Sequence, residues 1–120
     1  MQEISLTLPA DNAFHRVAHL VLGGFAARLD LTFESLEDIE LALDTLLERC
    51  RGGTEITVRV SVDGDELRTI VGPCGDDILR DLDRQASDDL DLRRILGAVC
   101  DRVEVTDGHV ALTKRIDTNG

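Results

Sequence analysis

The chain has no tryptophan and no tyrosine, and its only aromatic residues are Phe14, Phe25 and Phe33. Its core must therefore be aliphatic. Proline occurs twice, and the ten glycines are spread along the chain rather than gathered, so no flexible linker divides it. Basic residues are scarce: 13 Lys and Arg stand against 24 Asp and Glu, a net charge of −11. Such a surface repels phosphate backbones and anionic lipid, which argues against nucleic acid and membrane as partners and favours a basic protein surface. No stretch approaches the roughly 20 apolar residues that span a bilayer, and no signal-peptide pattern opens the chain. Cysteine is limited to Cys50, Cys74 and Cys100, odd in number and without a C-x-x-C pair. That pattern predicts no disulfide framework and a reducing, cytoplasmic location.

What is present fits one domain. Of 120 residues, 42% are hydrophobic and 31% charged, a balance that argues against disorder. The expected domain covers residues 1–116, with 117–120 as a disordered tail. Ile4, Leu6 and Leu8 alternate with Ser5 and Thr7, the period of a half-buried strand that Pro9 ends. Asp11 or Asn12 can cap a helix in which Phe14, Val17, Ala18, Val21, Leu22, Phe25 and Leu29 form one apolar face. Gly23 and Gly24 cost that helix about 1 kcal/mol each relative to Ala, which predicts close packing there. After the connector Asp30 to Phe33, a second helix starts near Glu34 or Ser35. Leu36, Ile39, Leu43, Leu46 and Cys50 form its stripe, and Gly52-Gly53 stops it. Ile56, Val58, Val60 and Val62 alternate in a strand, Asp63-Gly64 turns, and Leu67, Thr69 and Val71 return as a hairpin partner.

An acidic, weakly helical stretch from Asp76 to Gln85 precedes a third long helix. Ser87 or Asp88 opens it, and Leu92, Ile95, Leu96 and Val99 form its stripe. Val103 and Val105, the turn Asp107-Gly108, and Val110 and Leu112 make a last hairpin. The order is β-α-α-β-β-α-β-β. It predicts an α+β two-layer sandwich, a mostly antiparallel sheet covered on one face by three helices.

Residues capable of chemistry are few. His15 and His19 are one helical turn apart, but no third ligand accompanies them, so structural or surface roles are expected and no metal site. The cysteines fall on or beside apolar stripes and are expected as small buried hydrophobes. Cys74, in a loop, is the one to test for reactivity. The acidic stretch is expected as a solvated face.

Several runs carry a family resemblance. Asp11-Asn12-Ala13-Phe14-His15-Arg16 and Phe25-Ala26-Ala27-Arg28-Leu29-Asp30 look like the first helix of the bacterial anti-sigma factor kinases, a branch of the GHKL, or histidine kinase-like ATPase, fold. Glu37-Asp38-Ile39-Glu40-Leu41-Ala42-Leu43-Asp44 is similar to that family's lead-in to its second helix. Ala98-Val99-Cys100-Asp101-Arg102-Val103 and Val110-Ala111-Leu112-Thr113-Lys114-Arg115 resemble its final helix and strand. The pieces are collinear over nearly the whole chain.

The resemblance also marks what has changed. The family carries a general-base Glu on its second helix and, four residues on, an Asn that ligates Mg²⁺; the matching positions hold Thr45 and Arg49. A threonine hydroxyl does not replace a carboxylate base, and a guanidinium offers no oxygen to the metal. The adenine-binding Asp is matched by Pro73, which lacks both carboxylate and N–H, although Gly75 is kept. The Gly-x-Gly phosphate cradle is matched by Asp89 to Asp91, two carboxylates where bare amides are needed. A like-charge contact at 4 Å costs about 4 kcal/mol at an effective dielectric of 20. The resemblance thus implies a non-catalytic regulator without cofactor that binds a sigma factor, and also an anti-anti-sigma protein or a second copy of itself. Asn12, Ala13 and Arg16 match the partner-binding region. The alternative it leaves open is an ATP-dependent serine/threonine kinase with an unorthodox nucleotide site.

Overall fold

The computed structural model describes residues 2–50, 53–75, 80 and 92–119. Strand β1 (Gln2–Pro9) leads through a 3-10 turn (Asn12–Phe14) into α1 (His15–Leu29) and α2 (Phe33–Arg49). Strands β2 (Glu55–Asp63) and β3 (Glu66–Gly72), helix α3 (Leu92–Val99), and strands β4 (Arg102–Thr106) and β5 (His109–Arg115) follow. This is the order expected from periodicity. The five strands form one sheet in the order β1-β2-β3-β5-β4, and every pairing is antiparallel.

Strand register explains the single core. Leu6 lies opposite Val58, Val58 opposite Val71, Val71 opposite Val110, and Val110 opposite Val105. The neighbouring row runs Ile4, Val60, Thr69, Leu112, Val103. Because side chains alternate along a strand, both rows point to one face, and a slip of one residue would turn either row to water. Against that face α1 buries Ala18, Leu22, Phe25 and Ala26, and α2 buries Ile39, Ala42, Leu43, Leu46 and Leu47. Leu96 of α3 completes the core. The opposite face of the sheet carries Glu3, Arg59, Arg68, Arg102 and Glu104, which stay exposed.

Local chemistry sets the boundaries. Asp11 Oδ1 accepts from the Ala13 N–H at 3.0 Å and so caps the 3-10 turn rather than α1 itself. Asp30, at φ 57°, ends α1 in the left-handed region. The Thr32 hydroxyl accepts from the Ser35 N–H, so α2 begins at Phe33, slightly earlier than its apolar stripe suggests. In the β4–β5 turn Asp107 and Gly108 both have positive φ, the pairing that matches strand twist.

One expectation is narrowed and two need correction. Gly23 and Gly24 have open space where a Cβ would sit, so no packing within the chain requires them. Residues 117–119 are not a loose tail. The Asp117 N–H donates to Ser35 Oγ at 3.1 Å, Thr118 bridges Leu31, and the Asn119 N–H donates to the Asp30 carbonyl at 2.9 Å. These bonds fasten the chain end to the α1–α2 connector, a tertiary contact that a short polar segment does not announce. Finally, Cys50 and Cys74 are joined in a disulfide, with Cα atoms 4.3 Å apart. Folding brings them together from 24 positions apart in sequence. Most of the proposed acidic stretch and the start of the third helix lie outside the described residues.

The core predicts its own weakest point. Leu46 is fully buried between helix and sheet, so Leu46→Ala should cost about 2–5 kcal/mol. A urea midpoint that falls with an unchanged slope is the expected result, and a loss under about 1 kcal/mol would contradict this packing.

Candidate functional site

The positions singled out by the resemblance lie at the C-terminal end of α2 and on the loop that leaves β3. α2 is held by its buried stripe, so residues off the stripe have fixed directions. Thr45 is half-buried, and its hydroxyl donates to the Leu41 carbonyl at 2.8 Å within the same helix. That bond uses the hydroxyl's own proton within the helix, and a neutral hydroxyl is too weak a base to take a proton from a nucleophile. Arg49 is exposed in the last turn, where a cation suits the partial negative charge of the helix end.

The facing loop begins with a cis peptide between Gly72 and Pro73. Pro73 is exposed, Cys74 buried and Gly75 half-buried. The Cys74 N–H donates to the Gly108 carbonyl at 2.8 Å, which ties the loop to the β4–β5 turn. At Gly72 a Cβ would collide with the His109 ring, so only glycine fits beneath that imidazole. The ring is itself oriented by a bond of 2.9 Å between its Nδ1 and the Asp107 carbonyl.

The disulfide joins these two walls. Cys50 directly follows Arg49, and Cys74 lies between Pro73 and Gly75. An aromatic ring held by carbon contacts on both faces needs about 7 Å between the flanking atoms. The Cα separation of 4.3 Å leaves no such gap at this point. Cys74 is buried, as expected, but it is a half-cystine rather than a free loop thiol. With the pair bonded, the odd cysteine count no longer argues for a reducing compartment. Cys100 is the free thiol, and burial pushes it up to about 11, so it stays protonated at neutral pH. Asp89 and Asp91 lie outside the described residues.

A second polar cluster joins α1 to α2. His19 Nδ1 lies 2.8 Å from Glu40 Oε2, and its Nε2 contacts Asp44 Oδ1. Burial favours the neutral ring, but hydrogen bonds and charge from Asp44 and Glu40 outweigh it and raise the His19 pKa. His19 thus pairs across helices and does not join His15 as a ligand pair. Glu40 and Asp44 are four apart on α2, a spacing legible in sequence, but nothing there indicated which α1 residue would meet them. Of the expected partner-binding residues, Ala13 and Arg16 are exposed at the start of α1, and Asn12 opens the preceding turn. Val17, Leu20, Gly24 and Ala27 continue from Ala13 as an exposed, largely apolar stripe.

Among the described residues, a five-stranded antiparallel sheet with three helices on one face, in this order, is the arrangement of the histidine kinase-like ATPase fold. The crystal structure of the RsbU and RsbW domains of a Mycobacterium tuberculosis protein superimposes with a TM-score of 0.66 at 16% identity, over 97% of this chain and 32% of that one. In sequence, the serine-protein kinase RsbW of Bacillus velezensis is 28% identical over 95 residues, 71% of this chain and 56% of that protein. The chain thus spans about half the length of the curated relative it matches. No protein-family model matches the chain. Together the likeness in sequence and in fold supports the anti-sigma factor kinase family. Among the described residues no helix is long and apolar enough to cross a membrane.

The His19 cluster makes stability depend on pH. A histidine whose native pKa is raised stabilises the fold fully below its unfolded value, about 6.5, and that contribution is lost as pH rises through the native value. The urea midpoint should therefore fall above about pH 6.5. His19→Gln should flatten that part of the profile; an identical slope in the variant would refute the assignment.

Proposed function

We propose that this chain is a non-catalytic, anti-sigma-like regulatory protein that binds a sigma factor or a related regulatory partner in the cytoplasm and no longer binds Mg-ATP. The observation that carries this reading is that Arg49 and Pro73 stand where the resemblance calls for a metal-ligating oxygen and an adenine-binding carboxylate. Thr45 adds to it, since its hydroxyl is engaged within α2 and no carboxylate stands there as base. Arg49 could meet a phosphate but could not supply the oxygen that Mg²⁺ requires.

Partner binding rests on a different surface. Asn12, Ala13 and Arg16 lead into the apolar stripe of Val17, Leu20, Gly24 and Ala27, of which Leu20 is 71% exposed. A net charge of −11 favours encounter with a basic protein over nucleic acid. The same stripe, with no side chain on Gly24, allows close approach of a second copy of the chain.

The name of the Bacillus relative favours a second reading, an ATP-dependent serine kinase acting on an anti-anti-sigma protein. Calorimetric titration separates the two. Mg-ATP should give no binding heat, whereas a Kd tighter than about 100 µM would overturn the first reading. Ala13→Arg combined with Leu20→Glu should weaken capture of the cognate sigma factor by about tenfold or more. Capture unchanged by that pair would remove α1 as the partner surface.

A further inference from the structure

We propose that Cys50 and Cys74 form a reversible redox latch that fastens the loop after β3 to the end of α2. The inference rests on the cytoplasmic reading above, because a disulfide in a reducing compartment is transient rather than structural. Three observations carry it. Cys50 lies on the buried stripe of α2, at four residues from Leu46, so the helix itself aims its sulfur at the sheet. Cys74 meets it from the loop that leaves β3. Among the described residues, one backbone hydrogen bond outside the strands, from the Cys74 N–H to the Gly108 carbonyl, secures residues 73–75. Cys100, half-buried and protonated at neutral pH, is a poor competitor in exchange.

The chemistry balances with a peroxide as oxidant. One cysteine thiolate attacks a peroxide oxygen to give a sulfenic acid and water. The second thiolate attacks that sulfur, and the hydroxide expelled takes a proton to leave as water. Two thiols and one peroxide thus give the disulfide and two waters. A dithiol reductant reverses the bond by returning two electrons and two protons. With Cys50 at 1% and Cys74 at 7% exposure, either reagent reaches the sulfurs through local opening of the loop. The closed latch joins the two segments that a bound nucleotide would otherwise bridge.

Thiol counting and hydrogen exchange test this on the whole chain. After peroxide treatment, alkylation should find Cys100 free and a linked Cys50–Cys74 peptide. After dithiothreitol, all three cysteines should alkylate. Exchange over residues 69–75 should then speed up by about tenfold or more, with β1 unaffected. Cys50→Ser should exchange like the reduced protein under both conditions. If peroxide leaves all three thiols free, or exchange is the same in both states, the latch is overturned. Mg-ATP titrated into each form keeps the two readings apart. Binding to the reduced form alone would uphold the latch and overturn the proposed loss of nucleotide. No binding to either form, with unchanged exchange, would overturn the latch alone.

Discussion

The buried face of α2 is the constraint on which the rest of this structure depends. Ile39, Ala42, Leu43, Leu46 and Leu47 are each at most 4% exposed and lie against the row of β-branched residues on β2 and β3. Burying five such side chains fixes the rotation of the helix about its own axis. Every other feature of the site follows from that rotation. Cys50 extends the stripe inward, Arg49 is left in solvent, and Thr45 sits at the margin where its own backbone satisfies it. Glu40 and Asp44, on the flank toward α1, are presented together to His19.

How far the sequence reveals this can be judged residue by residue. Alternation in Ile56-Thr57-Val58-Arg59-Val60 states a strand and its inner face. The three- and four-residue spacing in α1 and α2 states two helices. Those patterns are local, and the structure keeps them. What they do not contain is the identity of distant neighbours. Nothing in Cys50 or Cys74 separately indicates a Cα separation of 4.3 Å, because that depends on how the end of α2 overlies the exit of β3. The same holds for Asn119 at Asp30 and for His19 between two carboxylates. Periodicity encodes which face a residue shows, whereas pairing across elements is encoded only in the assembled register. The altered site positions were legible solely through likeness to a family, since Thr45 and Arg49 in isolation are ordinary helix residues.

Gly23 and Gly24 illustrate a different kind of gap. Glycine in a helix interior is unfavourable, so a close neighbour within the fold was a reasonable expectation. The surroundings are empty, which moves the explanation outside the monomer. Gly24 lies on the exposed stripe with Val17 and Leu20. Monomers seldom leave apolar side chains contiguous on one helix face without an association to cover them. On the proposed association along α1, the unfavourable residue and the uncovered face would have one cause.

The changes at the cleft also belong together energetically. In a nucleotide-binding protein, ligand contacts hold the helix end and the facing loop in place by mass action, and that support vanishes when the ligand leaves. On the proposed loss of nucleotide the loop has no such external tie, and among the described residues one backbone bond to Gly108 outside the strands secures residues 73–75. A covalent link across 24 residues constrains the unfolded chain by about 3 kcal/mol and needs no ligand. On the proposed reading it supplies the order that a bound nucleotide would give, and makes that order follow the oxidation state of two sulfurs. A single exposed arginine does not take the place of the oxygen ligand that Mg²⁺ requires, because a guanidinium attracts phosphate but has no lone pair to offer a metal.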